Sequence, residues 1–181
     1  IYFTFCYNKD TKGKGNEIMK TSYEVRAMRF AKILAKLFEN CVSLADYEKM
    51  ISIYNQNHSI PLNYSYGISR IAIIRSDYVI KFDYGYEKFY GDCTSEQRVY
   101  EQAVEDGMEY LLAKSTAFSL FGHNGSIMPR IKGVDNRHKY WEEHCTADEY
   151  SWLYEHIFDL HSGNVGYKNG KVCVIDYAAE K

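Results

Sequence analysis

The sequence predicts an α+β fold, and three observations carry that expectation. Two β-branched runs, Arg70-Ile71-Ala72-Ile73-Ile74-Arg75 and Tyr78-Val79-Ile80-Lys81-Phe82, flank a tight Ser76-Asp77 turn. Asn169-Gly170 separates two further short runs, and both central positions of a type I′ hairpin turn need the positive φ that this pair tolerates. Amphipathic helical spacing runs from Ser22 to Phe38 and from Thr94 to Glu105.

In chain order, Ile1 to Tyr7 reads as a short strand and Asn8 to Asn16 as a polar, Lys/Gly-rich loop. Ser22 to Phe38 sets Val25, Met28, Ile33, Leu34 and Leu37 at apolar helical positions, and Leu44 to Asn55 makes a second helix capped by Ser43. The two helices are expected to pack on the strands that follow, or to offer an interface to a target or a second subunit. After the 70–82 strand pair comes a helix with Thr94 or Ser95 as N-cap and an apolar stripe of Val99, Tyr100, Ala103, Val104 and Met108. Thr116 to Phe121 and Ser126 to Ile131 predict a hairpin turning at His123-Asn124-Gly125. The stretch from His138 to Cys145 holds several possible metal ligands, but its spacing fits neither a His-Glu-x-x-His helix nor a zinc finger, so a surface helix or loop is expected. Asp148 to His156 predicts the last helix, with Trp152 and Leu153 in the core.

Bulk properties exclude several classes. A chain of 181 residues suits one domain, or two small lobes around a cleft. A formal charge of −2 and a pI near 6.3 give no bulk attraction to nucleic acid or to acidic membranes. The five cysteines are scattered without Cys-x-x-Cys spacing, which predicts reduced thiols in a cytoplasmic protein rather than zinc or disulfides. No apolar run reaches the length of a membrane span and no signal peptide is evident, while Ile1 in place of Met suggests a trimmed chain.

The chemistry concentrates near the C-terminal end. Asp159-Leu160-His161-Ser162-Gly163-Asn164 is followed twelve residues after Asn164 by Asp176. Closing the Asn169-Gly170 hairpin pairs Lys168 with Lys171 and Gly166 with Cys173, so Asn164 faces Ile175 and emerges beside Asp176 at the open end. Two convergent oxygen ligands suit a hard divalent cation that keeps some of its waters. Upstream, Lys81 interrupts an apolar strand, where a charge is costly without a partner. Helical phase selects Glu96 as that partner, because it lies one turn before Val99 and Tyr100, whereas Glu101 and Glu105 share a polar face; Glu101 is the reserve.

At these residues the chain resembles the protein-kinase-like superfamily. Lys81, Glu96, Asp159, Asn164 and Asp176 match its functional positions in order, and Tyr78-Val79-Ile80-Lys81 is similar to its Val-Ala-Ile-Lys strand. The loop from Phe158 to Asn164, with a hairpin turning at Asn-Gly, looks most like the minimal protein kinases of tailed bacteriophages; aminoglycoside phosphotransferases share the loop. The resemblance implies a two-lobed fold: an N-terminal helical extension at 1–60, a nucleotide-binding lobe at 61–130 and a minimal C-lobe at 131–181. It implies Mg·ATP as cofactor, with Lys81 on the phosphates, Asn164 and Asp176 on the metal, and Asp159 orienting the acceptor hydroxyl. His161 stands where the eukaryotic members carry a Lys, and would contact the γ-phosphate. Gly67 and Ser69 would contribute to the loop over the nucleotide, and Val79 and Met128 to the adenine pocket.

Departures are equally visible. Tyr66-Gly67-Ile68-Ser69-Arg70 offers one Gly where the nucleotide-covering loop is usually rich in them. Ile157-Phe158 replace His-Arg before the catalytic Asp, the Asp-Phe-Gly triplet reads Asp176-Tyr177-Ala178, and five residues follow Asp176. The expected function is a protein kinase acting on hydroxyl side chains, chiefly Ser or Thr, of a host protein in the cytoplasm. A small-molecule kinase and a pseudokinase serving as a binding module are the alternatives.

Overall fold

Ser43 opens its helix with a capping box: its hydroxyl accepts from Asp46 N at 3.4 Å, and the Asp46 carboxylate accepts from Ser43 N at 3.0 Å. The computed structural model describes residues 22–84, 93–133 and 144–177. The strand and loop expected before Ser22, most of the His138 to Cys145 stretch, and Ala178 lie outside them. Helix α1 is Tyr23–Leu37, begun by Ser22, and α2 is Leu44–Asn57, two residues longer than expected because Asn57 Nδ2 donates to Ile53 O at 2.7 Å within the last turn. The buried face of α1 is Ala27, Ala31, Leu34 and Ala35, with Met28 and Leu37 packed beside it; of the expected apolar positions Leu34, Met28 and Leu37 face the core, whereas Val25 and Ile33 are 41% and 59% exposed. The small alanines let α1 approach the sheet closely, and Val25 and Ile33 fall on the far side of the helix.

The main sheet is antiparallel, in the order β1-β2-β3-β5-β4, from β1 (Asn63–Tyr66), β2 (Arg70–Ile74), β3 (Tyr78–Asp83), β4 (Thr116–Leu120) and β5 (His123–Pro129). Its period-2 alternation separates two jobs. Ile71, Ile73, Tyr78, Ile80, Phe82 and Ile127 pack with Phe38, Tyr47 and Leu34 of the helical layer. The other face carries Ala72, Lys81 and Ser126 in one cross-strand row. Strand β1 was not expected: Asn-Tyr-Ser-Tyr has no β-branched residue, and all four are exposed on an edge.

The predicted β4–β5 turn is displaced. It forms at Phe121 and Gly122, both at positive φ (51° and 83°), and His123-Asn124-Gly125 belong to β5. Gly125 answers a packing demand instead. A Cβ there would lie 2.4 Å from Lys81 O and 2.4 Å from Phe118 Cζ. Gly125→Ala should therefore cost about 1–3 kcal/mol, read as a lowered urea midpoint, because the ring and the Lys81 backbone must both shift.

Helix α3 (Cys93–Glu105) joins β3 to β4. It starts at Cys93, ahead of the predicted Thr94 or Ser95 cap, and Cys93 N donates to the Asp83 carboxylate at 3.2 Å. Its buried line is Cys93, Glu96, Val99 and Ala103, while Val104, expected inside, is exposed.

A second, three-stranded sheet runs β6-β7-β8, from Lys132–Gly133, Val165–Lys168 and Lys171–Val174. Its hairpin has the expected register, Lys168 opposite Lys171 and Gly166 opposite Cys173, with Asn169 and Gly170 at positive φ. Helix α4 (Ala147–His156) opens with a Thr146–Glu149 capping box and buries Trp152 and Leu153. They join Val99, Ala103, Leu111, Leu112, Ile157, Val174 and Tyr177 in a second core, so α3 is shared between both halves of the molecule. Ala113 N donates to Val174 O at 2.8 Å and the Tyr177 hydroxyl donates to Ala113 O, which ties the chain on either side of Asp176. Among the described residues Cys41, Cys93, Cys145 and Cys173 are free thiols, and no helix is long and apolar enough to cross a membrane.

Candidate active site

Cross-strand register places Lys81 between Ala72 and Ser126, on the face opposite the α1/α2 core. Its ammonium donates to Glu96 Oε1, to Ile175 O at 3.2 Å and to Asp176 Oδ1 at 3.3 Å. Glu96 is fully buried and also accepts from Ser126 Oγ at 3.1 Å and Ser115 Oγ at 3.4 Å. A carboxylate in such a place must be paired and hydrogen-bonded, and this one is both. The partnership inferred from helical phase is formed.

Arg70 is the participant that sequence reasoning missed. Its Nη1 lies 2.9 Å from Glu96 Oε1 and its Nη2 pairs with Asp176 Oδ1. Two cations and two carboxylates thus form one cluster whose formal charges cancel. Burial pushes the Asp176 carboxyl up, but Lys81 and Arg70 outweigh it and hold the group below its ordinary value. Burial likewise works against the Arg70 charge, and Glu96 and Asp176 overcome it, leaving the guanidinium more firmly protonated than usual. The available signal was parity: Arg70 shares the alternation of Ala72, hence the face that carries Lys81.

The loop after α4 is held at intervals. Ile157 is buried, Leu160 packs against the second core, and Phe158 and Asp159 between them face solvent. Asn164, in the short 3₁₀ turn Ser162–Asn164, donates from Nδ2 to Asp159 O at 3.0 Å, which fixes the amide and turns Oδ1 away from that carbonyl. Ile175 N donates to Asn164 O at 2.8 Å, extending the β7–β8 pairing and setting Asn164 beside the Asp176 segment as the hairpin register requires. His161 Nδ1 accepts from Gly163 N at 3.0 Å, which assigns the neutral ring's proton to Nε2. That nitrogen is 3.6 Å from Asp159 Oδ2, so His161 stands beside the carboxylate without a close hydrogen bond.

These groups meet at one cleft of about 540 Å³, lined by Gly67, Ser69, Arg70, Lys81, Asp159, Asn164 and Asp176, with Ile68 and Phe158 at its exposed edge. Glu96 acts on it from behind through Lys81 and Arg70, and His161 is outside the lining. Val79 and Met128 are cross-strand partners packed with Ala113, Cys173, Ile131 and Ile175, next to the cleft rather than on its wall. In the β1–β2 turn Gly67 N donates to Arg70 O at 2.9 Å, so this amide is engaged with the protein's own backbone.

Among the described residues no cluster of three or more His, Cys, Asp or Glu side chains could hold a metal. Asn164 and Asp176, which both line the cleft at the hairpin's open end, carry hard oxygen donors. Such donors fit a hard divalent ion that retains several waters. Set against protein-family models, curated proteins and solved structures, the chain matches none of them.

Proposed function

We propose that this chain is a Mg·ATP-dependent phosphotransferase of protein-kinase-like fold that transfers the γ-phosphate to hydroxyl side chains of a protein. The observation that carries this reading is the buried Lys81–Glu96 pair, held against Asp176 in a cleft that also receives Asp159 and Asn164. The five-stranded antiparallel sheet with α3 between β3 and β4 supports a nucleotide-binding lobe, and the β7–β8 hairpin supports a minimal C-lobe.

In this mechanism Glu96 aims the Lys81 ammonium at the α- and β-phosphates. Asn164 Oδ1 and the Asp176 carboxylate would hold Mg²⁺, which would supply charge neutralisation for the phosphates. Asp159 accepts a hydrogen bond from the acceptor hydroxyl and directs its oxygen in line with the γ-phosphorus. The new O–P bond forms as the bond to the β-phosphate oxygen breaks, ADP leaves with that electron pair, and the hydroxyl proton passes through Asp159 to water. Positioning and charge stabilisation provide most of the catalysis, so few groups suffice.

The Asp159 side chain is 68% exposed and Phe158 is 70% exposed, so among the described residues the acceptor end of the cleft opens on the surface. An open lip suits a hydroxyl presented by a macromolecule. One observation favours a second reading: Asp176 already carries Lys81 and Arg70, as it would in a module that binds partners without transferring phosphate. Incubation with Mg²⁺, γ-labelled ATP and a bacterial lysate separates the two. Label on proteins that disappears with Asp159→Ala and with Lys81→Ala is the expected result. Nucleotide binding without transfer would establish the binding module, and label confined to small metabolites a small-molecule kinase.

A further inference from the structure

We infer that Arg70 is a phosphate-contacting residue of this cleft, whose Nη2 pairs with Asp176 and passes to the nucleotide's phosphates when a metal takes that carboxylate. The inference rests on the nucleotide reading above and adds a residue and a step to it.

Three features lead there. Arg70 Nη2 and Lys81 Nζ both use Asp176 Oδ1, so a divalent ion arriving at that carboxylate meets two cations already in place. A guanidinium cannot shed its charge, so the one displaced must find another anion. Lys81 keeps Glu96, Ile175 O and its strand position, whereas Arg70 reaches Asp176 through one arm of its fork. Arg70 Nη1 stays near Glu96 at 2.9 Å, so the side chain is tethered while Nη2 changes partner.

One backbone donor beside Arg70 is already in use. Gly67 is the one glycine of the β1–β2 turn, and its N–H is engaged by Arg70 O. A planar fork of N–H donors matches phosphate oxygens in pairs and can replace amides missing from a glycine-poor loop. Arg70 lines the same cleft as Lys81 and Asp176. Its backbone is fixed by pairing with Asp83 and by the Gly67 bond, so the exchange is confined to the side chain.

The test compares wild type with Arg70→Gln and Arg70→Lys in three binding titrations: Mn²⁺ alone, Mn·ATP, and adenosine. Removing the competing cation should tighten Mn²⁺ binding in Arg70→Gln. Losing a charge-assisted phosphate contact should weaken ATP by about ten- to a hundred-fold while leaving adenosine unchanged. Arg70→Lys, which keeps the cation and the fold if Gln does not, should fall between. A merely structural role would weaken all three ligands together, and that result overturns the inference. So does an unchanged ATP-to-adenosine ratio in a protein whose ATP binding is lost with Lys81→Ala, an outcome that leaves the phosphotransferase reading standing. A wild type that binds neither Mn²⁺ nor Mn·ATP defeats both.

Discussion

Glu96→Ala should lower folding stability by about 3–5 kcal/mol, because removing one partner strands buried charge rather than merely deleting a bond. Glu96 is fully buried and is the shared anion of Lys81 and Arg70, with Ser126 and Ser115 as further donors. Without it two cations lean on Asp176 alone. Urea unfolding followed by circular dichroism measures the loss. Glu96→Ala combined with Lys81→Met should cost less than the sum of the single changes, since the second substitution removes one of the stranded charges. A loss below about 1 kcal/mol for Glu96→Ala would mean that water reaches the cluster and that burial is not what holds it.

Asp159→Asn should show the opposite profile, with stability and nucleotide affinity kept and phosphate transfer lowered by about 10²- to 10⁴-fold. Asp159 is exposed, packs against nothing in the core, and gives its backbone carbonyl, not its side chain, to Asn164. The substitution therefore spares the metal-ligand geometry and removes only the acceptor for the hydroxyl proton. Exposed replacements of this kind change stability by about 0.5 kcal/mol or less. Single-turnover transfer, with the urea midpoint as control, separates the two effects. A variant that transfers at the wild-type rate would assign the acceptor's alignment to another group.

Lys81, Glu96, Asn164 and Asp176 were legible because local rules place each of them. The type I′ turn at Asn169-Gly170 sets the register that brings Asn164 beside Ile175, and helical phase turns Glu96 inward. Arg70 was only partly so: strand parity sets it on the Lys81 face, but its partners depend on where α3 and the β8 end meet β2, which no local pattern reports. The β4–β5 turn was misplaced for a different reason. Asn124-Gly125 is the stronger turn signal, yet the chain accepts an aromatic residue, Phe121, at φ 51° so that Gly125 can lie under the Phe118 ring. In α1 Leu34, Met28 and Leu37 were legible, whereas Ala27, Ala31 and Ala35 share the packing that large apolar spacing assigned to Val25 and Ile33. Tertiary demand overrode propensity in each case, and two of these cases lie within or beside the strands that carry Lys81.

In the proposed mechanism Lys81 lies against the phosphates of bound ATP. An ATP analogue with an acyl phosphate tests it directly, because an amine beside the phosphates takes the acyl group as an amide and releases ATP. Peptide mapping by mass spectrometry should find the acyl group on Lys81, suppressed by excess Mg·ATP and reduced in Asp176→Asn. Acylation spread over surface lysines and insensitive to Mg·ATP would contradict the account.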